Sequence, residues 1–130
     1  MHKVLVVDDQ ADIRRMIMIA LSGDYDLLEA EDGVTALHMV QKHKPDVVLL
    51  DVMMPGEMDG LQVLQAIRAD ADIKATRVIM VSAKGQVSDY ELGMQLGANA
   101  YFVKPFSPLQ LLDAIEEQIA QLEAGGATGS

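Results

Sequence analysis

The chain has 130 residues, half of them hydrophobic, which is enough for one domain with a sizeable core. Twenty acidic against ten basic residues give a formal charge of −10, a balance that repels nucleic-acid phosphates and argues against direct nucleic-acid binding by this chain alone. Cysteine is absent, which excludes disulfides and thiolate metal sites and fits a reducing compartment. No apolar run approaches the roughly 20 residues of a bilayer crossing, and Met1-His2-Lys3 leads straight into apolar sequence, so a cytoplasmic protein with no membrane span and no secretory leader is expected.

Val4 to Val7 is a continuous apolar run that ends in Asp8-Asp9. Continuous rather than alternating apolar residues suit a strand covered by helices on both faces of a parallel sheet. Ile13, Met16, Ile17, Ala20 and Leu21 then follow the spacing of a one-sided helix, which Gly23 stops. Asp26 to Ala30 reads as a short, less apolar strand at a sheet edge. Asp32 can cap a helix carrying Ala36, Leu37 and Val40, which ends before Pro45.

Val47 to Leu50 is the third strand and runs into Asp51. After the loop from Val52 to Met58, Asp59 and Gln62 resemble a capping pair for a helix carrying Val63, Leu64 and Ile67. Val78 to Val81 runs into Ser82. Gln86 to Leu96 is a weaker helix, because Gly93 inside it costs about 1 kcal/mol relative to alanine. Ala100 to Val103 runs into Lys104-Pro105. Ser107-Pro108-Leu109-Gln110 is a strong helix start, with Leu112, Ile115, Ile119 and Leu122 at 3-4-3 spacing behind it. Residues 1–123 form the domain, and the small-residue stretch 124–130 reads as a mobile tail or the start of a linker.

Five strands alternating with five helices predict a doubly wound α/β sheet, with strand order 2-1-3-4-5 placing the most polar strand at an edge. In such a sheet ligands gather outside the carboxyl ends of the strands. Three carboxylates, one hydroxyl and one ammonium therefore meet in one crevice. Clustered carboxylates raise the pKa of at least one member unless a cation intervenes. A hard, oxygen-only site beside a phosphate suits Mg²⁺ better than Ca²⁺ or Zn²⁺. With Lys104 and Ser82 nearby, the crevice is a cradle for a phosphoryl group, and Asp51 is the nucleophile that forms an acyl phosphate.

At these residues the chain resembles the receiver domains of two-component response regulators, of the chemotaxis-regulator type. Asp8-Asp9, Asp51, Met54-Pro55, Met58-Asp59-Gly60, Ser82-Ala83, Gly97-Ala98, Tyr101 and Lys104-Pro105-Phe106 carry the match over residues 3 to about 122. The resemblance implies that Asp51 accepts a phosphoryl group from a sensor histidine kinase or a histidine phosphotransfer protein. It implies Mg²⁺, or Mn²⁺ in its place, on Asp9, Asp51 and the backbone carbonyl of Met53, with Asp8 helping through water. Ser82, Lys104 and the backbone of Ala83 would hold phosphoryl oxygens. Ser82 and Tyr101 would be the switch, acting on a downstream protein or output domain through the face of the fourth helix, fifth strand and fifth helix. Lys104-Pro105 would be a cis peptide.

The family's usual loop has one residue between Met-Pro and Met-Asp-Gly, whereas here Gly56-Glu57 make two. Met53, two residues after the acceptor, orients water poorly, and Lys84, two after Ser82, is placed to meet the phosphoryl charge. Together they predict a phospho-aspartate that is not among the fastest to hydrolyse. A phosphohydrolase of the haloacid-dehalogenase type would need an acid where Met53 stands. A phosphorylation-independent interaction module and a phosphorelay intermediate are the alternatives to a simple switch. The receiver is a signalling domain rather than an enzyme, promoting only its own phosphorylation and dephosphorylation.

Overall fold

A computed structural model describes residues 1–83 and 87–127, with side chains described for 1–83 and 90–124. Strands and helices alternate as β1 (Lys3–Val7), α1 (Ala11–Leu21), β2 (Asp26–Ala30), α2 (Gly33–His43), β3 (Val47–Asp51), α3 (Gly60–Ala69), β4 (Arg77–Ser82), α4 (Val87–Gln95), β5 (Ala100–Val103) and α5 (Pro108–Ala127). The strands form one parallel sheet in the order β2-β1-β3-β4-β5. Every residue of β3 is buried, whereas β2 at the edge is half exposed, which is why the former reads as unbroken apolar sequence and the latter does not.

The core has two layers, one on each face of the sheet. Leu5, Val48, Leu50 and Met80 pack with Val40, Leu64 and Ile67 of α2 and α3. Val4, Val6, Leu49 and Ile79 pack with residues of α1 and α5, chiefly Ile17, Leu21, Leu111 and Ile115. Each fully buried aliphatic chain here removes apolar surface worth about 1.5–3 kcal/mol.

Helix starts follow local chemistry. The Asp32 carboxylate accepts from the Thr35 N–H at 2.8 Å, and Lys44 closes α2 in the left-handed region (φ 49°). Asp59 and Gln62 exchange both bonds of a capping box, each 2.9 Å. Ser107 Oγ accepts from the Gln110 N–H at 3.5 Å at the head of α5.

Several expectations shift. The buried stripe of α1 is centred between Ile17 and Leu21, with Met18 on its flank, so Met16 falls on the shoulder and is 44 % exposed. In α5 the core residues are Leu111, Ile115 and Ile119, and Leu112 and Leu122 are only partly buried. The same helix continues through Gly125 and Gly126 to Ala127, four residues past the boundary expected at residue 123. Once a helix is nucleated, each added residue gains a hydrogen bond, so a short glycine pair does not stop it.

Helix α4 also runs through Gly93. That glycine is buried beneath Tyr101, whose ring lies 3.5 Å from where a Cβ would stand.

Candidate functional site

The register of the sheet sets the site. Val7 lies beside Leu50, Asp51 beside Val81, and Ser82 beside Val103. The residue that ends or follows β1, β3, β4 and β5 therefore emerges at the same edge, and Asp8, Asp51, Ser82 and Lys104 become neighbours.

Asp8 is fixed on every side. Its N–H donates to the Ala30 carbonyl at 3.2 Å, and its own carbonyl accepts from Arg14 Nη1 at 2.7 Å. One carboxylate oxygen accepts from the Gln10 N–H at 2.9 Å and the other from Lys104 Nζ at 2.9 Å. Asp51 is buried, with one oxygen 3.5 Å from Lys104 Nζ and the other accepting weakly from the Met53 N–H at 3.4 Å. Lys104 Nζ also lies 3.5 Å from Gln10 Oε1. The Lys104–Pro105 peptide is cis, and the Lys104 N–H donates to the Ser82 carbonyl at 2.7 Å.

Gly60 shapes the wall behind Asp51. Its N–H donates to the Val52 carbonyl at 2.9 Å, and a Cβ there would collide with the Asp51 carbonyl oxygen. Only glycine lets α3 begin that close to the acid.

Burial raises the Asp51 carboxyl to about 6; the Asp8 charge pushes the same way, and Lys104 opposes it. Burial works against the charge of Lys104, but the Asp8 hydrogen bond and the charges of Asp51 and Asp8 outweigh it, so its pKa is raised.

Carboxylate oxygens of Asp8, Asp9 and Asp51 all lie within 4.8 Å of one another, with Asp9 exposed and the other two buried. When all three are ionised, Lys104 offsets one charge and two remain. An oxygen-only donor set with uncompensated negative charge fits a hard divalent cation.

Ser82 is buried at the end of β4, and Ala83 follows it exposed. Met53, two residues after Asp51, is 54 % exposed. Tyr101 shares a sheet face with Ser82, one alternate position back in the register, and its ring meets Tyr90 edge-on at 5.6 Å. Its hydroxyl is buried without a partner. Lys84 lies outside the described residues. Gln10 and Arg14, which hold Lys104 and the Asp8 backbone, carry no signal in the sequence, where a lone glutamine and an arginine on a helix look like solvated surface.

A parallel doubly wound sheet with an acidic crevice, a lysine and a serine at its carboxyl edge defines a class of α/β domain built for phosphate chemistry. The particular family follows from comparison. Residues 4–116 match the response regulator receiver domain, and the chain belongs to that family. It is 47 % identical over 111 residues to a probable transcriptional regulator, ycf27, of Guillardia theta, covering 85 % of this chain and 42 % of that one. It is 38 % identical over 119 residues to the DNA-binding response regulator MtrA of Mycobacterium tuberculosis, covering 91 % and 50 %. Among solved structures, the chemotaxis protein CheY4 of Vibrio cholerae superposes with a TM-score of 0.83 at 36 % identity, covering 90 % of this chain and 98 % of that one.

These findings correct one expectation. A charge of −10 argues against nucleic acid, yet relatives at 38 % identity are DNA-binding response regulators. The chain spans about half the length of the relatives it matches, and the acidity of one segment does not set what a longer protein binds. No described helix is long and apolar enough to cross a membrane.

Proposed function

We propose that this receiver takes a phosphoryl group onto Asp51 from a phosphohistidine on a sensor kinase, and that the modified domain alters its affinity for a downstream partner. A carboxylate oxygen of Asp51 attacks phosphorus, the P–N bond breaks, and its electron pair stays on the imidazole nitrogen. Lys104 meets charge on the phosphoryl oxygens, and Ser82 with the Ala83 backbone takes another oxygen. The observation that carries this reading is the meeting of three carboxylates within 4.8 Å around a lysine, at a sheet's carboxyl edge.

Asp9, Asp51 and the Met53 carbonyl would hold Mg²⁺, or Mn²⁺ in its place. Asp8, whose two oxygens already accept N–H donors, would help through water. The cation supplies charge neutralisation to the transferred group. In the modified protein Ser82 and Tyr101 relay the change to α4, β5 and α5; the buried, unpartnered Tyr101 hydroxyl supports two positions for that ring. The domain is thereby a signalling module that promotes only its own modification, in the cytoplasm. Met53 and Lys84 set the lifetime of the acyl phosphate.

Incubation with Mg²⁺ and acetyl phosphate, followed by intact mass measurement, tests the proposal. One phosphoryl group should appear, and it should vanish in Asp51→Asn or with chelator. No gain in the wild type would leave a phosphorylation-independent interaction module.

A further inference from the structure

Away from the Asp51 crevice, the amino end of β4 and β5 carries a concentration of positive charge that nothing in the phosphoryl chemistry uses. Arg68, Lys74 and Arg77, with Asn99, line a cavity of about 280 Å³. That is three of the ten cationic residues in a chain of net charge −10. Among the described residues none of the three pairs with a carboxylate; the ion pairs present belong to His2, Arg14 and Lys104.

The three cations differ in what they have left to offer. Arg68 donates to uncharged oxygens only: the carbonyls of Gly97, Lys74 and Thr76 and the Asn99 amide oxygen, at 2.6–3.0 Å. Its hydrogen bonding is complete and its charge is not neutralised. Arg77 has a buried Nε with no acceptor. Lys74 is exposed. The Asn99 amide oxygen takes N–H groups from Arg68 and Val78, and its amide nitrogen makes neither bond. Burial, and then the charge of Arg77, lowers the pKa of Arg68, as expected of two guanidinium groups without a counter-ion between them. Asp46 and Asp72 line an adjoining, smaller cavity that shares Ala75 and Leu122 with this one, Asp46 already accepts from the Lys3 N–H at 2.9 Å, and neither acid lines the cleft of the three cations.

We infer that the Arg68–Lys74–Arg77–Asn99 cleft binds a multivalent oxyanion of the phosphate class, inorganic or esterified. An anion there meets a guanidinium and an ammonium directly, above a second guanidinium that contributes charge alone. The volume falls below the roughly 300–1,000 Å³ of pockets that hold drug-sized molecules, so the site suits a small ion or one end of a phosphate ester. It is independent of Asp51 and needs no divalent cation.

The test is a titration of ¹⁵N-labelled protein in EDTA with pyrophosphate, in parallel with chloride at equal ionic strength. Saturable shifts of the amides around residues 74–77 and 97–99 are expected, unchanged in Asp51→Asn. Arg77→Gln should weaken binding on the order of tenfold, and Lys74→Gln, at an exposed position that cannot disturb folding, roughly threefold, in line with the loss of charge-assisted bonds. Equal affinity for pyrophosphate and adenosine diphosphate supports a site that reads phosphate alone, and tighter binding of the nucleotide supports an esterified ligand. Absence of saturation, equal shifts with chloride, or unaltered binding in both variants would overturn the assignment.

Discussion

At the carboxyl end of the sheet, the carboxylates of Asp8, Asp9 and Asp51 cluster, Lys104 meets two of them, and the buried Asp51 is driven up to about 6. At the amino end of β4 and β5, Arg68 gives each of its five N–H groups to an uncharged oxygen and ties α3 to the turn before β5. Both ends bury charge without neutralising it fully, but at the amino end every donor of the central arginine is satisfied, whereas at the carboxyl end two negative charges remain beyond what Lys104 offsets. Unrelieved charge can respond to a cation or a phosphoryl group, whereas saturated hydrogen bonding holds the frame in which that response takes place.

The sharpest way to break the comparison is at its rigid end. In Arg68→Ala the carbonyls of Thr76 and Gly97 lose the guanidinium donor, and Thr76 is buried, while the amide oxygen of Asn99 keeps the Val78 N–H. Each buried acceptor left unpaired costs about 1–3 kcal/mol, so a loss of about 3–5 kcal/mol is expected in urea denaturation. A loss below about 1 kcal/mol would mean that water replaces the guanidinium without cost. Arg68→Lys should recover only part, because an ammonium cannot span those acceptors.

At the responsive end, Lys104→Met keeps the length of the side chain and removes the cation. Asp8 and Asp51 are then left buried beside each other with no counter-charge. Breaking a buried pair in this way costs about 3–5 kcal/mol; because Asp51 can take up a proton, a loss of about 2–4 kcal/mol is expected at pH 7 in chelator. Mg²⁺ should stabilise this variant more than the wild type, since the cation then neutralises a larger residual charge. Equal Mg²⁺ gains in calorimetry would show that Lys104 and the metal do not share a field.

The two ends are not equally legible in the sequence. Strand order and the acid, hydroxyl and lysine positions can be read because each follows an unbroken apolar run, and parallel topology turns that sequence pattern into one edge in space. Arg68 cannot be read that way, since its partners are backbone carbonyls of Lys74, Thr76 and Gly97, which carry no side-chain signature. Met16 misleads for a smaller reason: a 3-4 pattern fixes the existence of a buried stripe but not its centre, and the stripe of α1 is turned toward Met18. Net charge is a poor guide to nucleic acid here because the DNA-binding relatives are about twice as long as the stretch this chain matches, and the charge of that stretch does not report on the rest of them. On either side of the Gly56-Glu57 loop, β3 and the close approach of Gly60 hold Asp51.

The smallest expected effect isolates the cost of burying Asp51. Folding lifts the Asp51 carboxyl from 3.8 to about 6, so between those values the folded state holds more protons than the unfolded chain, and stability falls as pH rises. At about 1.4 kcal/mol per unit the full penalty is about 3 kcal/mol above pH 6, and it is absent below pH 4. The amide introduced by Asp51→Asn carries no charge at any pH, and the raised pKa already includes the attraction to Lys104, so this variant should be more stable than wild type by up to about 3 kcal/mol at pH 7. The two proteins should converge as pH falls toward 4. Thermal unfolding in chelator across pH 4–7 measures this directly. A difference that stays constant with pH would mean that packing, and not the buried charge, separates the two side chains. A difference that follows the titration and shrinks when Mg²⁺ is added would tie the cost of burying Asp51 to the same residual charge that a cation neutralises.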